Sequence, residues 1–367
     1  MEIQINNILA SQAAIGLKQG VFCGISAGVS YGAGDQRIRT FHSAGFTRND
    51  ALGVDITAST LFDLASLTKP LCSVLCALHL IETGHLHWQS TLGEHFPPDK
   101  QHITLYHLLQ HSSGLPAYHP YFQAFAAKQH TTHKQRLLDC IGREPLVYAT
   151  GTTSVYSDLG FILLGNLIEE QSGSSLQDLF RCRIATPLGL ERQLCFLPVE
   201  TTDTGKESRT IAATEFCPWR NKTLQGEVHD EHCWLMGGVA GHAGLFGSVE
   251  AVMHLCECLL DIWKGRASHP AFAADLLIHA LSSKHPHSSW CLGFDTPTPG
   301  ASSSGRYFSA QSVGHLGFSG TSFWIDSVRE VVVVLLTNRI HPSRENVKIR
   351  QFRPSFHDHI MEKIIAG

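Results

Sequence analysis

Two stretches near the start of the chain, residues 20–31 and 37–46, are rich in β-branched, aromatic and small side chains. A glycine-rich turn separates them, which predicts an antiparallel hairpin. The period then changes. From Leu71 to Glu82 apolar residues recur at helical spacing, and Gly84 stands where a helix end favours glycine. Further helices are expected near 104–111, 120–129, 134–141, 157–171, 175–185, 248–264 and 269–282, with few strands between about 85 and 300. Three strands follow at 306–310, 321–326 and 330–337, and a last helix is expected near 345–365.

A sheet drawn from both ends of the chain and interrupted by a mostly helical segment predicts an α/β (α+β) fold. Residues 1–65 and 300–367 would form an antiparallel sheet flanked by helices, and residues 66–299 an inserted helical lobe. The cleft between the lobes is the natural place for chemistry, and Ser66 lies at the first crossing.

Composition narrows the partners. Of 367 residues 43% are hydrophobic and 16% charged, with 28 Lys and Arg against 32 Asp and Glu and a formal charge of −4. No long run of either sign points to nucleic acid or to an anionic membrane surface, so a small-molecule substrate is expected. The first seven residues lack the basic start and apolar stretch of a secretion signal, and no run reaches the roughly 18 apolar residues that cross a membrane. A cytoplasmic protein is the expectation. Its eleven cysteines are odd in number, scattered and without a Cys-x-x-Cys pair, which suits reduced thiols. Cys72 and Cys76, on the apolar face of the 71–82 helix, are expected to act as small buried hydrophobes.

Three short stretches carry candidate chemistry. Ser66 and Lys69 place a hydroxyl and an amine three residues apart at a helix start, with Pro70 in the first turn, where its missing N–H is tolerated. A serine needs a neighbour to take its proton, and a lysine one turn away can do so if its surroundings hold it neutral. On a solvated helix the same spacing is an ordinary cap with a surface lysine. Tyr156-Ser157-Asp158 precedes the apolar helix that starts at Leu159, where Asp158 could simply cap it. His315-Leu316-Gly317-Phe318 enters an edge strand, with glycine where a backbone or ligand comes close.

In this order and with these gaps the three resemble the motifs of the serine penicillin-recognising enzymes. These comprise class C β-lactamases, D,D-carboxypeptidases, D-aminopeptidases and related esterases. The family patterns Ser-x-x-Lys, Tyr-x-Asn and Lys-Thr-Gly or His-x-Gly correspond to Ser66–Lys69, Tyr156–Asp158 and His315–Gly317. Residues 60–65, 107–116, 239–246 and 337–339 also look like the β-lactamase-related branch, so the resemblance spans nearly the whole chain. It implies a β-lactamase/transpeptidase-like fold and a cofactor-free acyl transfer to Ser66. Lys69 and Tyr156 would share the proton, and the N–H groups of Ser66 and Phe318 would form the oxyanion hole. Gly317 would keep bulk off the strand edge where substrate lies, and His315 would face the cleft and meet a substrate carboxylate or the proton relay. Asp158 stands where penicillin-recognising members have asparagine, and His315-Leu316 where β-lactamases have lysine and threonine. A small ester, amide or D-amino acid derivative is therefore the expected substrate, with a weak class C-like β-lactamase or D,D-carboxypeptidase as the alternative. An inactive binding module on the same fold would be expected to lose one of Ser66, Lys69 and Tyr156.

His229 and His232 have His-x-x-His spacing but lack the His-Glu-x-x-His order of a zinc helix, so no metal is expected. The glycines at 238, 241, 244 and 247 fit no nucleotide fingerprint and suggest a shaped loop beside the active site, in which the role of His242 stays open. Ser112 and Ser113 are expected to be structural.

Overall fold

In the computed structural model residues 1–93, 96–125, 133–199 and 209–367 are described. The run Val331–Thr337 is buried at every position because it is the central strand of a five-stranded antiparallel sheet. We label the strands β1 (Gly24–Tyr31), β2 (Ile38–Gly45), β3 (Val313–Leu316), β4 (Ser322–Asp326) and β5 (Val331–Thr337). Their order is β2-β1-β5-β4-β3, which leaves β3 at one edge. Alternate side chains of β5 serve two cores, as the strand period requires. Val332, Val334 and Leu336 join Phe323, Ile325 and the helical segment in one cluster. Val331, Val333 and Leu335 meet the first and last helices, Glu2–Lys18 and Ile349–Ala366, on the other face.

The hairpin, the strands at 321–326 and 330–337 and the last helix lie where expected. The strand expected at 306–310 does not form. Ser309 instead caps Asp326, its N–H and hydroxyl donating to the carboxylate at 2.9 and 2.8 Å, and the strand begins at Val313. The helix Glu2–Lys18 was not expected, although Ile5, Leu9 and Ala13 carry its buried stripe. Of the helix expected at 120–129, Tyr121–Ala124 is a single 3₁₀ turn and 126–129 lies outside the described residues. The helix expected at 269–282 starts at Ala274.

Ser66 lies in a 3₁₀ turn, Ala65–Leu67, followed by a π-helical stretch, Lys69–Val74, and the α-helix Leu75–Glu82. Ala65–Glu82 is long and apolar enough to cross a membrane, and 78% of it is buried inside the protein's own core. A second helix, Asp158–Ser172, is capped by the Ser157 hydroxyl, which accepts the Gly160 N–H at 3.2 Å. Asp158 is thus not the cap. The residue 240–242 segment touches this second helix backbone to backbone. A Cβ on Gly241 would overlap the Phe161 carbonyl and lie 2.8 Å from the Gly165 nitrogen. The Ser73 hydroxyl ties the same loop down by donating to the Gly241 carbonyl at 2.6 Å.

Gly241→Ala should therefore lower stability by about 1–3 kcal/mol, the usual cost of overpacking. Gly173→Ala tests a different cost. Gly173 has open space but φ 65, so only the left-handed conformation is penalised, by roughly 1 kcal/mol. Urea unfolding of both variants checks this, and a Gly241→Ala protein as stable as wild type would refute the backbone contact.

Candidate active site

The turn that presents Ser66 is held by residues far apart in the chain. Ala65 has φ 49, a left-handed conformation that is strained for a residue with a Cβ. Three hydrogen bonds hold it there. The Asp63 carboxylate accepts the Ala65 N–H at 2.8 Å, the Thr68 hydroxyl donates to the Ala65 carbonyl at 2.6 Å, and the Leu245 N–H donates to that hydroxyl at 3.2 Å. The second Asp63 oxygen accepts the His229 N–H at 2.7 Å, so one buried carboxylate joins the serine turn to the 229–232 segment.

Lys69 is fully buried, and its ammonium has three acceptors: Ser66 Oγ at 3.0 Å, Asp158 Oδ1 at 2.7 Å and the His242 carbonyl at 3.2 Å. Burial alone would push its pKa down, but Asp158 and Tyr156 outweigh it and the pKa is raised. Lys69 is therefore a cation. Tyr156, whose ring centre lies 4.8 Å from Lys69 Nζ, faces Lys69 and Ser66. Burial pushes its phenol up, the Lys69 charge pulls it down and Asp158 pushes it up again, leaving it at about 12. At neutral pH the resting site thus holds a phenol, not a phenolate.

Gly317 has a different task from the one expected. A Cβ there would overlap Thr321 Oγ1 and lie 2.6 Å from the Leu64 carbonyl, so it would point into the protein and not along the substrate edge. Glycine lets the β3–β4 turn close against the chain just before Ser66. Two hydroxyls complete the contact, Ser319 Oγ donating to the Asp63 carbonyl at 2.6 Å and Thr321 Oγ1 to the Leu64 carbonyl at 3.1 Å. Phe318 then sits beside Ser66's turn and is 48% exposed. Neither its N–H nor that of Ser66 is donated within the described residues.

His315 also departs from expectation. It is 1% exposed, its Nδ1 lies 2.8 Å from the Leu316 carbonyl, and its ring packs near Tyr156 and Trp290 at 5.9 and 5.3 Å between centres. Burial and then the Lys69 charge depress its pKa to about 3. A neutral, enclosed imidazole offers no charge to a substrate carboxylate.

The histidines at 229, 232 and 242 part company. His229 stacks on Phe318 and lies 3.3 Å from Glu215. His232 packs among Tyr118, Tyr121 and Phe122. His242 Nε2 meets Asp230 at 2.7 Å. The spacing of His229 and His232 therefore brings no ligand pair together. Glu215, Cys217 and Glu231 do converge, but Arg344 donates to both carboxylates there.

Sequence reasoning missed Trp290 and the His242 carbonyl. A main-chain acceptor leaves no mark on residue identity, and Trp290 stands in an unpatterned loop. His111, whose ring lies tilted against Tyr156 at 4.6 Å between centres, lay in a stretch singled out only by resemblance.

A model of the Beta-lactamase family matches residues 18–354. A protein of Escherichia coli (strain K12), provisionally named a D-alanyl-D-alanine carboxypeptidase, is 32% identical over 316 residues, 78% of this chain and 71% of its own. An N-acetylmuramyl-L-alanine amidase of Bacillus subtilis (strain 168) is 31% identical over 311 residues, 77% of this chain and 68% of its own. Among solved structures, EstCE1, a hydrolase with promiscuous acyltransferase activity, superposes with a TM-score of 0.72 at 18% identity, covering 96% of this chain and 99% of that one. The octameric penicillin-binding protein homologue from Pyrococcus abyssi gives 0.71 at 18% identity, covering 100% of this chain and 77% of its own. The fold is β-lactamase/transpeptidase-like, and the chain belongs to the Beta-lactamase family. Within that family it is a serine hydrolase.

Gly317→Ala should slow modification of Ser66 by a serine-reactive probe by at least about tenfold, because the β3–β4 turn must move away from the serine turn. Thermal unfolding run alongside separates this from general loosening. An unchanged labelling rate in folded Gly317→Ala protein would contradict the packing role.

Proposed function

We propose that the protein transfers the acyl group of a small ester, amide or D-amino acid derivative to Ser66 and then to water. The observation that carries this reading is the Ser66 hydroxyl at 3.0 Å from the ammonium of a fully buried Lys69. Because all three Lys69 protons have acceptors, Lys69 orients Ser66 and stabilises charge. Tyr156, after its phenol has given its proton to solvent and as a phenolate beside the Lys69 cation, is then the group that takes the serine proton and returns it to the leaving group. The N–H groups of Ser66 and Phe318 receive the oxyanion, and hydrolysis completes the cycle. Eleven free thiols support a reducing, cytoplasmic setting as part of the same proposal.

Asp158 shapes the substrate class. Its carboxylate raises Lys69, which keeps the lysine a cation, and also raises Tyr156, which works against forming a phenolate. A substrate bearing a free amino group can pair with Asp158 and offset this, whereas the acylamino carbonyl of a penicillin meets a group that can only accept. Amino-bearing substrates and simple esters are therefore favoured over benzylpenicillin. His315, neutral and enclosed, gives a penicillin carboxylate no compensating cation.

Exposure to a fluorophosphonate followed by intact-mass measurement should show one adduct, lost in Ser66→Ala. Equal labelling of the two proteins would sink the nucleophile assignment.

Replacing Asp158 by Asn removes a negative neighbour that raises Tyr156, so the folded-state pKa of Tyr156 falls. The rising limb of the pH–rate profile for an aryl ester should move to lower pH in Asp158→Asn, and acylation by benzylpenicillin should gain relative to the ester. If the limb stays in place or moves up, the electrostatic role of Asp158 is wrong.

A further inference from the structure

Arg339 lies two residues past the end of β5, outside the set of side chains that surround Ser66 and Lys69. It is 7% exposed, and among the described residues it has no ion-pair partner. Burying a cation without a counter-ion is costly, so a fold that keeps one must use its directed donors. All four of its hydrogen bonds go to main-chain carbonyls. Nε and Nη2 donate to the Phe318 carbonyl at 2.9 and 2.6 Å, and Nη1 donates to those of Arg344 and Asn346 at 3.1 and 2.7 Å. The guanidinium also lies 4.7 Å from the centre of the Phe318 ring, on which His229 stacks and which the Arg344 guanidinium approaches at 5.9 Å.

Gly320 makes room for it. Its φ is 104, and a Cβ there would lie 3.0 Å from Arg339 Cβ and overlap Arg339 Cγ. Without the arginine, the turn from Gly317 to Thr321 is closed by only two main-chain bonds of its own, Gly320 N to the Gly317 carbonyl at 3.0 Å and Gly317 N to the Thr321 carbonyl at 2.8 Å. The first of these holds the Gly317 carbonyl and with it the peptide plane that carries the Phe318 N–H, but neither bond reaches the other side of Phe318. Its carbonyl is fixed by Arg339 alone among the described residues.

We propose that Arg339 is a positioning residue for the oxyanion hole. By gripping the Phe318 carbonyl with two N–H donors, it holds the peptide unit after Phe318, so that the turn cannot shift about the Phe318 Cα and tilt the preceding plane that carries the free N–H. The role rests on the reading of Phe318 N–H as an oxyanion donor. A lysine keeps the charge but loses the two-pronged fork, so it should restore the function only in part.

The test compares acylation of Ser66 by 4-nitrophenyl acetate and by its thiono analogue, each normalised to the same ester in hydroxide. A sulfur anion accepts hydrogen bonds more weakly, so a well-aimed hole prefers the oxygen ester. Wild type should show that preference. Arg339→Met should lose roughly 10²-fold in rate on the oxygen ester, in the range for a lost oxyanion donor. Its oxygen-over-sulfur preference should shrink about tenfold, with Arg339→Lys between the two. Thermal unfolding accompanies each variant, and if Arg339→Met does not fold the lysine variant decides. Equal slowing of both esters in folded variants would mean that Arg339 supports structure only, which overturns the proposal. A wild type that labels at Ser66 but shows no oxygen preference would instead remove the Phe318 reading on which the proposal stands.

Discussion

The Lys69 ammonium is the constraint around which the site is arranged. Moving a lysine charge out of water costs several kcal/mol unless good partners replace the water, and here each of three partners exists because a separate part of the fold was set for it. Asp158 is free to pair because Ser157, not Asp158, caps the helix behind it. The His242 carbonyl reaches Lys69 because Gly165 and Gly241 let the loop rest on the helix backbone. Ser66 Oγ arrives because Ala65 is held in a left-handed conformation. Loss of any one leaves a buried charge short of an acceptor, so the geometry of the serine and the stability of its surroundings are coupled.

The same coupling explains why the two halves of the site belong to one mechanical unit. The serine turn comes from the chain before the helical segment, and Phe318 comes from the turn after the edge strand. Asp63 and Leu64 join them through main-chain carbonyls that accept Ser319 and Thr321 hydroxyls. Sheet residues Phe323, Ile325, Val332 and Val334 share a core with Leu71, Leu75 and Leu78 of the serine helix. Relative motion of Ser66 and Phe318 would therefore need repacking and not merely hinge rotation.

What the sequence made legible follows from what periodicity can encode. Alternating and helical hydrophobic patterns located β1, β2, β4, β5 and the helices at 71–82, 157–171 and 248–264, since those elements bury a face of their own. The 306–310 stretch misled because Tyr307 and Phe308 favour strands, while the Asp326 carboxylate ties Ser309 into a cap. Ser66, Lys69 and Tyr156 were legible as spaced side chains. The structure adds that Asp158 reaches Lys69, which decides between cap and ion pair. Gly317 was legible as a place of close approach, but not what approaches it, since a missing side chain does not say which neighbour needs the space. His315 misled for a related reason. Its burial depends on Trp290 and Tyr156, which reach it only through tertiary packing.

With several histidines nearby, the choice of proton acceptor is a question of magnitude. His315 is unprotonated at neutral pH, but with a pKa of about 3 it is a very weak base. The Tyr156 phenolate, with its parent phenol pushed up to about 12, is a far stronger base, and once formed beside the Lys69 cation it holds a proton that the imidazole would not. His111 does not change the outcome, because burial and then Lys69 and His315 depress it well below an ordinary imidazole. The same low dielectric that makes the histidines poor bases strengthens the pull of Lys69 on a phenolate. The enclosure of His111 and His315 around Tyr156 thus leaves one effective acceptor for the serine proton, and its strength is governed by the carboxylate at position 158.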